Sequence, residues 1–247
     1  MIVLKSDDEI EAMARAGRLA GLCLKMLGQM VGPGITTKEL DEAAEEFIRS
    51  HGGVPTFKGY MGFPASICAS PNNVVVHGIP DDTPLSEGDI ISLDVGVTFE
   101  GFVGDTAATF PVGRVSRRAK ELIEATQEAL FAGIAAARVG NRIGDIGRAV
   151  EAVVRRHSFS VVRDYAGHGV GRDMHEDPSV PNFGLPGTGP LLRKGMVIAI
   201  EPMVNMGGSE VISYPNMRVV TRDGSWSAHF EHTVAITDDG PRALTLV

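Results

Sequence analysis

From Ser6 onward, Ile10, Met13, Gly17, Ala20, Leu24, Leu27 and Val31 recur every three or four residues, the spacing of a helix with one buried stripe. Ser6 and Glu9 form a capping-box pattern at its start, and Gly32-Pro33-Gly34 closes it. Thr36 and Glu39 repeat the pattern and open a second helix that turns Leu40, Ala43, Phe47 and Ile48 inward. Apolar runs with strand character follow at residues 90–99 and 101–110, and helical spacing returns from Ser116 to about His157. Further strands are predicted at residues 197–201, 211–220 and 228–236, with a Gly/Pro-rich loop over residues 178–190. Helices grouped before antiparallel strands predict an α+β fold in which helices cover one face of a sheet.

The chain also resembles itself. Shifted by 106 positions, Gly34, Leu40, Ala43, Phe47, Ile48, Arg49 and His51 fall on Gly140, Ile146, Ala149, Val153, Val154, Arg155 and His157. Shifted by 107, the run from Gly88 to Asp94 falls on the run from Gly195 to Glu201, and both end in a carboxylate. Asp105-Thr-Ala-Ala likewise matches Glu231-His-Thr-Val. Two α+β halves, about 1–112 and 116–247, are therefore expected to face each other across one shared site.

Composition narrows the class. A chain of 247 residues with 43% hydrophobic content can bury a sizeable core as one domain. A formal charge of −8 argues against a nucleic-acid surface, because phosphate binding relies on Lys and Arg. Cys23 and Cys68 are too few for a disulfide framework, so a reducing cytoplasm is the expected location. Arg15 and Arg18 interrupt the first helix too early for a secretory signal. No stretch is long and apolar enough to span a bilayer, and no membrane partner is expected.

The candidate chemistry lies in four carboxylates and a histidine. If Glu100-Gly101 is a two-residue turn, Phe99 pairs with Phe102 and Asp105 stands opposite Gly96, on the face that Asp94 shares. The two aspartates are then diagonal neighbours, roughly 7–8 Å apart at Cα, close enough to hold one or two ions. Asp94 also ends the apolar run Ile90-Ile91-Ser92-Leu93, where a solvated acid is poorly motivated. His168 sits among glycines in Gly167-His168-Gly169-Val170-Gly171, which allows close backbone approach and a tightly placed imidazole. Glu201 precedes Pro202 at a strand end, and Glu231 lies between Phe230 and His232. Four carboxylates in one cleft would repel and raise one another's pKa, whereas two divalent cations would balance their charge. Such a pair suits a hydrolase.

Taken in order and spacing, His77-Gly-Ile-Pro, Asp94-Val, Gly104-Asp105-Thr106, Gly167-His168-Gly169, His175-Glu, Glu201-Pro-Met and Phe230-Glu231-His232-Thr233 resemble the type I methionine aminopeptidases over nearly the whole chain. The resemblance implies a pita-bread fold and two divalent metal ions, with Co, Mn, Fe and Zn all compatible with these ligands. It implies that Asp94 chelates one ion, that Asp105 and Glu231 bridge both, and that His168 and Glu201 complete the other. Glu201 would also accept a proton from the attacking water, His175 would stabilise the oxyanion, and His77 would hydrogen-bond near the scissile amide. The implied substrates are N-terminal methionyl peptides and nascent chains near the ribosome, cut by a monomer where the second residue is small.

Tyr60, Phe63, Cys68, Met174 and Met217 fit the family's side-chain pocket, alongside His77 and His175. Three positions depart from the common bacterial pattern: Met174 stands where Phe is usual, Met217 where Trp is usual, and His229 where Gln is common. Flexible methionines in place of rigid aromatic walls imply softer selection for methionine. Two other readings use the same fold. A proline-directed relative would carry an extra N-terminal domain, and a non-catalytic binding module would have lost ligands.

Overall fold

Ser6 and Thr36 start two helices by the same device. In the computed structural model, which describes residues 1–247, α1 spans Asp7–Met30 and α2 spans Thr37–Ser50. In each, the cap hydroxyl accepts from the backbone N–H of the glutamate three residues on, while that carboxylate accepts from the cap N–H. A second pair, α3 at Arg117–Ala136 and α4 at Ile143–Arg156, follows later in the chain. Ser116 caps α3, and Asp145 accepts from the Arg142 N–H at the start of α4.

Nine of the strands between and after these pairs build one antiparallel sheet, and the other six form two small three-stranded sheets. The order of the large sheet runs Val54–Pro55, Ile90–Phe99, Phe102–Pro111, Glu231–Thr237, Val197–Ile200, Gly167–Gly169, Glu176–Val180. Cys68–Pro71 adds to the Ile90–Phe99 strand and Gly240–Ala243 to the Glu231–Thr237 strand. The two copies of the internal repeat meet at the centre, where Thr106 and Ala107 pair with His232 and Glu231. Each helix pair covers its own half of the sheet: Leu19, Leu27, Leu40 and Ile48 pack with Ile91, Leu93 and Val95. Leu130, Ile134 and Ile146 pack likewise with Ile198, Ile200, Val234 and Ile236. Because side chains alternate along a strand, Asp94 and Gly96 point away from the layer that holds Leu93 and Val95. That leaves the other sheet face for chemistry.

Two glycines set how closely α1 approaches the sheet. A Cβ on Gly104 would meet Gly17 backbone atoms at 2.5 Å, so the Phe102–Pro111 strand and α1 touch backbone to backbone. On its other side α1 meets the segment near the C-terminus, since a Cβ on Gly17 or Gly21 would strike the carbonyl oxygens of Leu244 and Thr245 at 2.7 and 2.2 Å.

The strand expectations need three corrections. Residues 211–220 are two strands, Val211–Ser213 and Val219–Thr221, folded on a turn in which the Met217 N–H donates to the Tyr214 carbonyl. Pro215 and Asn216 carry that turn's chemistry inside an otherwise apolar run. Residues 228–236 break at Phe230: Ser227–His229 pairs with Met203–Asn205 in a small sheet, and Glu231–Thr237 joins the main one. Residues 176–180 form an edge strand, where Pro178 is tolerated, so the loop placed over residues 178–190 starts three residues late. The strands Gly167–Gly169, Met203–Asn205 and Ser160–Val161, two or three residues each, are too short for periodicity to reveal.

Candidate metal centre

Glu100 and Gly101 adopt positive φ angles of 51° and 80°, the backbone of a two-residue hairpin turn whose twist matches its strands. The register that follows places Phe99 opposite Phe102 and Gly96 opposite Asp105, as the turn residues predict. Asp94 lies across from Ala107 on one side and Cys68 on the other. From the second half, Glu201 follows directly on Val197–Ile200, and Glu231 opens the strand that pairs with Ala107.

His168 is delivered through a gap only glycine permits. A Cβ on Gly167 would meet the Ala199 carbonyl oxygen at 2.3 Å, and one on Gly169 would meet that of Asp177 at 2.1 Å. The His168 Nδ1–H donates to the Gly169 carbonyl at 2.8 Å, which fixes the tautomer and leaves the Nε2 lone pair free. That Nε2 faces Asp105 Oδ2 at 3.7 Å and Glu201 Oε1 at 3.6 Å. Donor atoms of Asp105, His168 and Glu231 lie within 4.8 Å of one another, and so do those of Glu201, His229 and Glu231. Asp94 stands outside these two tight groups, yet close enough for its carboxyl to feel Asp105 strongly.

Burial makes this convergence costly without cations. Desolvation, then repulsion from Glu201, pushes Asp105 up to about 8, and desolvation alone lifts Glu201 to about 8. Asp94 and Glu231 are driven well above the carboxylate range by burial and then by Asp105. Asp94 Oδ1, Asp105 Oδ1 and Glu231 Oε1 are buried with no hydrogen-bond partner. Their ionic neighbours are histidines, and those are neutral: burial, then the His175 ring, lowers His168 to about 4, and burial lowers His175, His77 and His229 as well. Unpartnered carboxylate oxygens and imidazole lone pairs form a donor set that divalent metal ions fit.

One cleft holds all twelve candidate residues. The acids, His168, His77 and His175 supply its polar lining. Its wall is made by Tyr60, Phe63, Cys68, Met174 and Met217. Burial and the neighbouring Asp94 keep the Cys68 thiol protonated, so it serves as wall and not as nucleophile. His77 takes a left-handed φ of 58°, a conformation His adopts more readily than most residues, at the end of the Val74–Val76 strand.

Several features escaped the sequence. Phe57 and Met61 also line the cleft, and Phe57 meets Phe63 edge to face at 6.5 Å. Gly96 makes that possible, because its missing Cβ would sit 2.6 Å from the Phe57 ring; a glycine inside a strand pattern is the signal for such an approach. The Tyr60 hydroxyl bonds His175 Nδ1 at 2.8 Å, and His229 enters the cluster from the strand before Phe230.

The chain is similar to known proteins over its whole length. Residues 11–238 match the model of metallopeptidase family M24. A methionine aminopeptidase of Clostridium perfringens is 54% identical, and methionine aminopeptidase 1 of Bacillus subtilis is 50% identical, each alignment covering 100% of both chains. The crystal structure of methionine aminopeptidase from Rickettsia prowazekii superposes over 100% of both chains with a TM-score of 0.98 at 44% identity. The prolidase from Pyrococcus furiosus shares the pita-bread fold at 21% identity, with a TM-score of 0.80 over 99% of this chain and 66% of its own. With the family model matching residues 11–238, a span that includes all four carboxylates and His168, and relatives at half identity or more over the whole chain, the chain belongs to metallopeptidase family M24.

Proposed function

We propose that the protein is a dinuclear-metal aminopeptidase that removes N-terminal methionine from peptides and nascent chains whose second residue is small. The observation that carries this reading is the set of four carboxylates, Asp105 and Glu231 buried and Asp94 and Glu201 partly so, unpaired with any Lys or Arg and lining one largely apolar cleft. The proteins it resembles at half identity are methionine aminopeptidases, which supports the choice of substrate. The catalytic unit is residues 1–247, with halves about 1–112 and 116–247, acting as a monomer in the cytoplasm.

In this reading Asp94, Asp105, His168, Glu201 and Glu231 hold two divalent ions. When bound, such a pair lowers the pKa of water and polarises a carbonyl. The residues do the rest. Glu201 accepts the proton of the attacking water on a carboxylate oxygen. With the Tyr60 O–H donating to Nδ1, the His175 ring carries its proton on Nε2, the donor needed to stabilise the developing oxyanion. His77, kept neutral by burial and by His229 and His175, hydrogen-bonds near the scissile amide. Phe57, Phe63, Met174 and Met217 surround the first side chain and exclude water from it.

The test is kcat/KM for Met-Ala-Ser, Leu-Ala-Ser and an Xaa-Pro dipeptide, before and after EDTA and with Co²⁺ or Mn²⁺ restored. Met-Ala-Ser should be preferred, EDTA should abolish its cleavage, and either ion should restore it. Leu-Ala-Ser should turn over measurably, and Met174→Phe should sharpen the preference for methionine, on the scale of about 1–3 kcal/mol that apolar pockets discriminate. Preference for the Xaa-Pro dipeptide would move the protein to the proline-directed branch. Absence of hydrolysis by the metal-loaded protein would make it a binding module.

A further inference from the structure

His229 is 2% exposed, and its Nε2 is buried with no hydrogen-bond partner. It stands 3.6 Å from Glu201 Oε2 and 3.9 Å from Glu231 Oε2. Those gaps exceed a hydrogen bond, for which N–H···O distances are roughly 2.7–3.2 Å. They match the separation of two donors that each sit about 2.0–2.2 Å from one shared ion, which is roughly 3–4 Å. His168 shows the same signature, 3.7 Å to Asp105 Oδ2 and 3.6 Å to Glu201 Oε1. Glu201 thus lies between two imidazoles and turns a different oxygen to each.

We propose that His229 is a sixth protein ligand of the metal pair, adding a second imidazole nitrogen to a set that otherwise has one. The inference rests on the dinuclear reading above and extends it. A set with two nitrogens in place of one favours later first-row ions such as Co²⁺ and Zn²⁺ over Mn²⁺, because imidazole suits the former better than carboxylate oxygen does. Backbone geometry holds the residue in place: the His229 N–H donates to Thr109 Oγ1 at 2.9 Å, while the Thr109 hydroxyl donates to the His229 carbonyl at 2.9 Å. The ring is therefore placed by the strand junction and needs no side-chain partner of its own.

The test counts ligand imidazoles directly. In the Co²⁺-loaded protein, each coordinated ring should give one contact-shifted, exchangeable N–H proton resonance, and two are expected for the wild type. His229→Gln should leave one, with the fold checked by circular dichroism, and His175→Gln should leave both. A single such resonance in wild-type protein that binds two Co²⁺ per chain would overturn the inference while leaving the dinuclear reading intact. So would an unchanged pair of resonances in His229→Gln. Failure of the wild type to bind two ions would overturn both.

Discussion

Asp105 and Glu201 illustrate how much of this site's behaviour belongs to single residues. Raised from 3.8 and 4.5 to about 8, they keep protons in the folded, metal-free protein that the unfolded chain has already released. Their stabilising contribution is complete below the ordinary carboxylate values and is lost as pH rises through about 8. His168 and His232, lowered from 6.5 to about 4 mainly by burial, act in the opposite sense, and their contribution is complete above 6.5. Of these groups only the carboxylates still change between pH 6.5 and 8. The melting temperature of EDTA-treated protein should therefore fall across that window. With divalent ion in excess the slope should shrink or reverse, since metal displaces the same protons. Flat melting temperatures in the metal-free protein would show that these carboxyls are already ionised.

At the scale of elements, the hairpin was open to prediction and the strand junction was not. Glu100-Gly101 combines turn chemistry with flanking alternation, so register, face and the neighbourhood of Asp94 and Asp105 all follow from local rules. The break at Phe230 has no such marker. Apolar residues continue through it, and the switch between sheets is made by distant partners, Met203–Asn205 and Val197–Ile200. For that reason His229 reads in sequence as a substitution for a common amide, while its proximity to Glu201 appears only once the sheets cross. The hairpin also separates two kinds of glycine. A Cβ on Gly101 would make only an ordinary van der Waals contact, with the Arg172 guanidinium at 3.5 Å, so Gly101→Ala should cost about 1 kcal/mol through its left-handed φ alone. Gly104→Ala should cost more, roughly 1–3 kcal/mol, because α1 backbone lies 2.5 Å from the added atom and must move. Urea midpoints and metal content check this. Gly101→Ala should keep its metal, whereas Gly104→Ala should lose affinity by displacing Asp105, and equal behaviour of the two would refute the packing argument.

The whole molecule is two similar halves meeting at the centre of one sheet, with the cleft's acids contributed by both. Asp94 and Asp105 come from the first half, and Glu201 and Glu231 from the second, so any ion shared among them ties the halves together. Ligand binding to the folded state stabilises it by mass action, here across both halves at once. Removing metal should thus speed hydrogen exchange in Ile90–Phe99, Phe102–Pro111 and Glu231–Thr237 together. Loss of protection confined to one half would mean the ions are not shared.

The seam between Gly17, Gly21 and the carbonyls of Leu244 and Thr245 bears on how the protein is made. Thr245 also bonds His232 Nδ1 at 2.8 Å and accepts from the Thr233 N–H, so the same residue braces the strand that Glu231 opens. Synthesis runs from the N-terminus, and α1 therefore emerges with its small-residue stripe bare and stays so until residue 245 has cleared the tunnel. The packing of the first helix to be made thus waits on residues far downstream of it, and the delay is set by chain order and not by the strength of the contact.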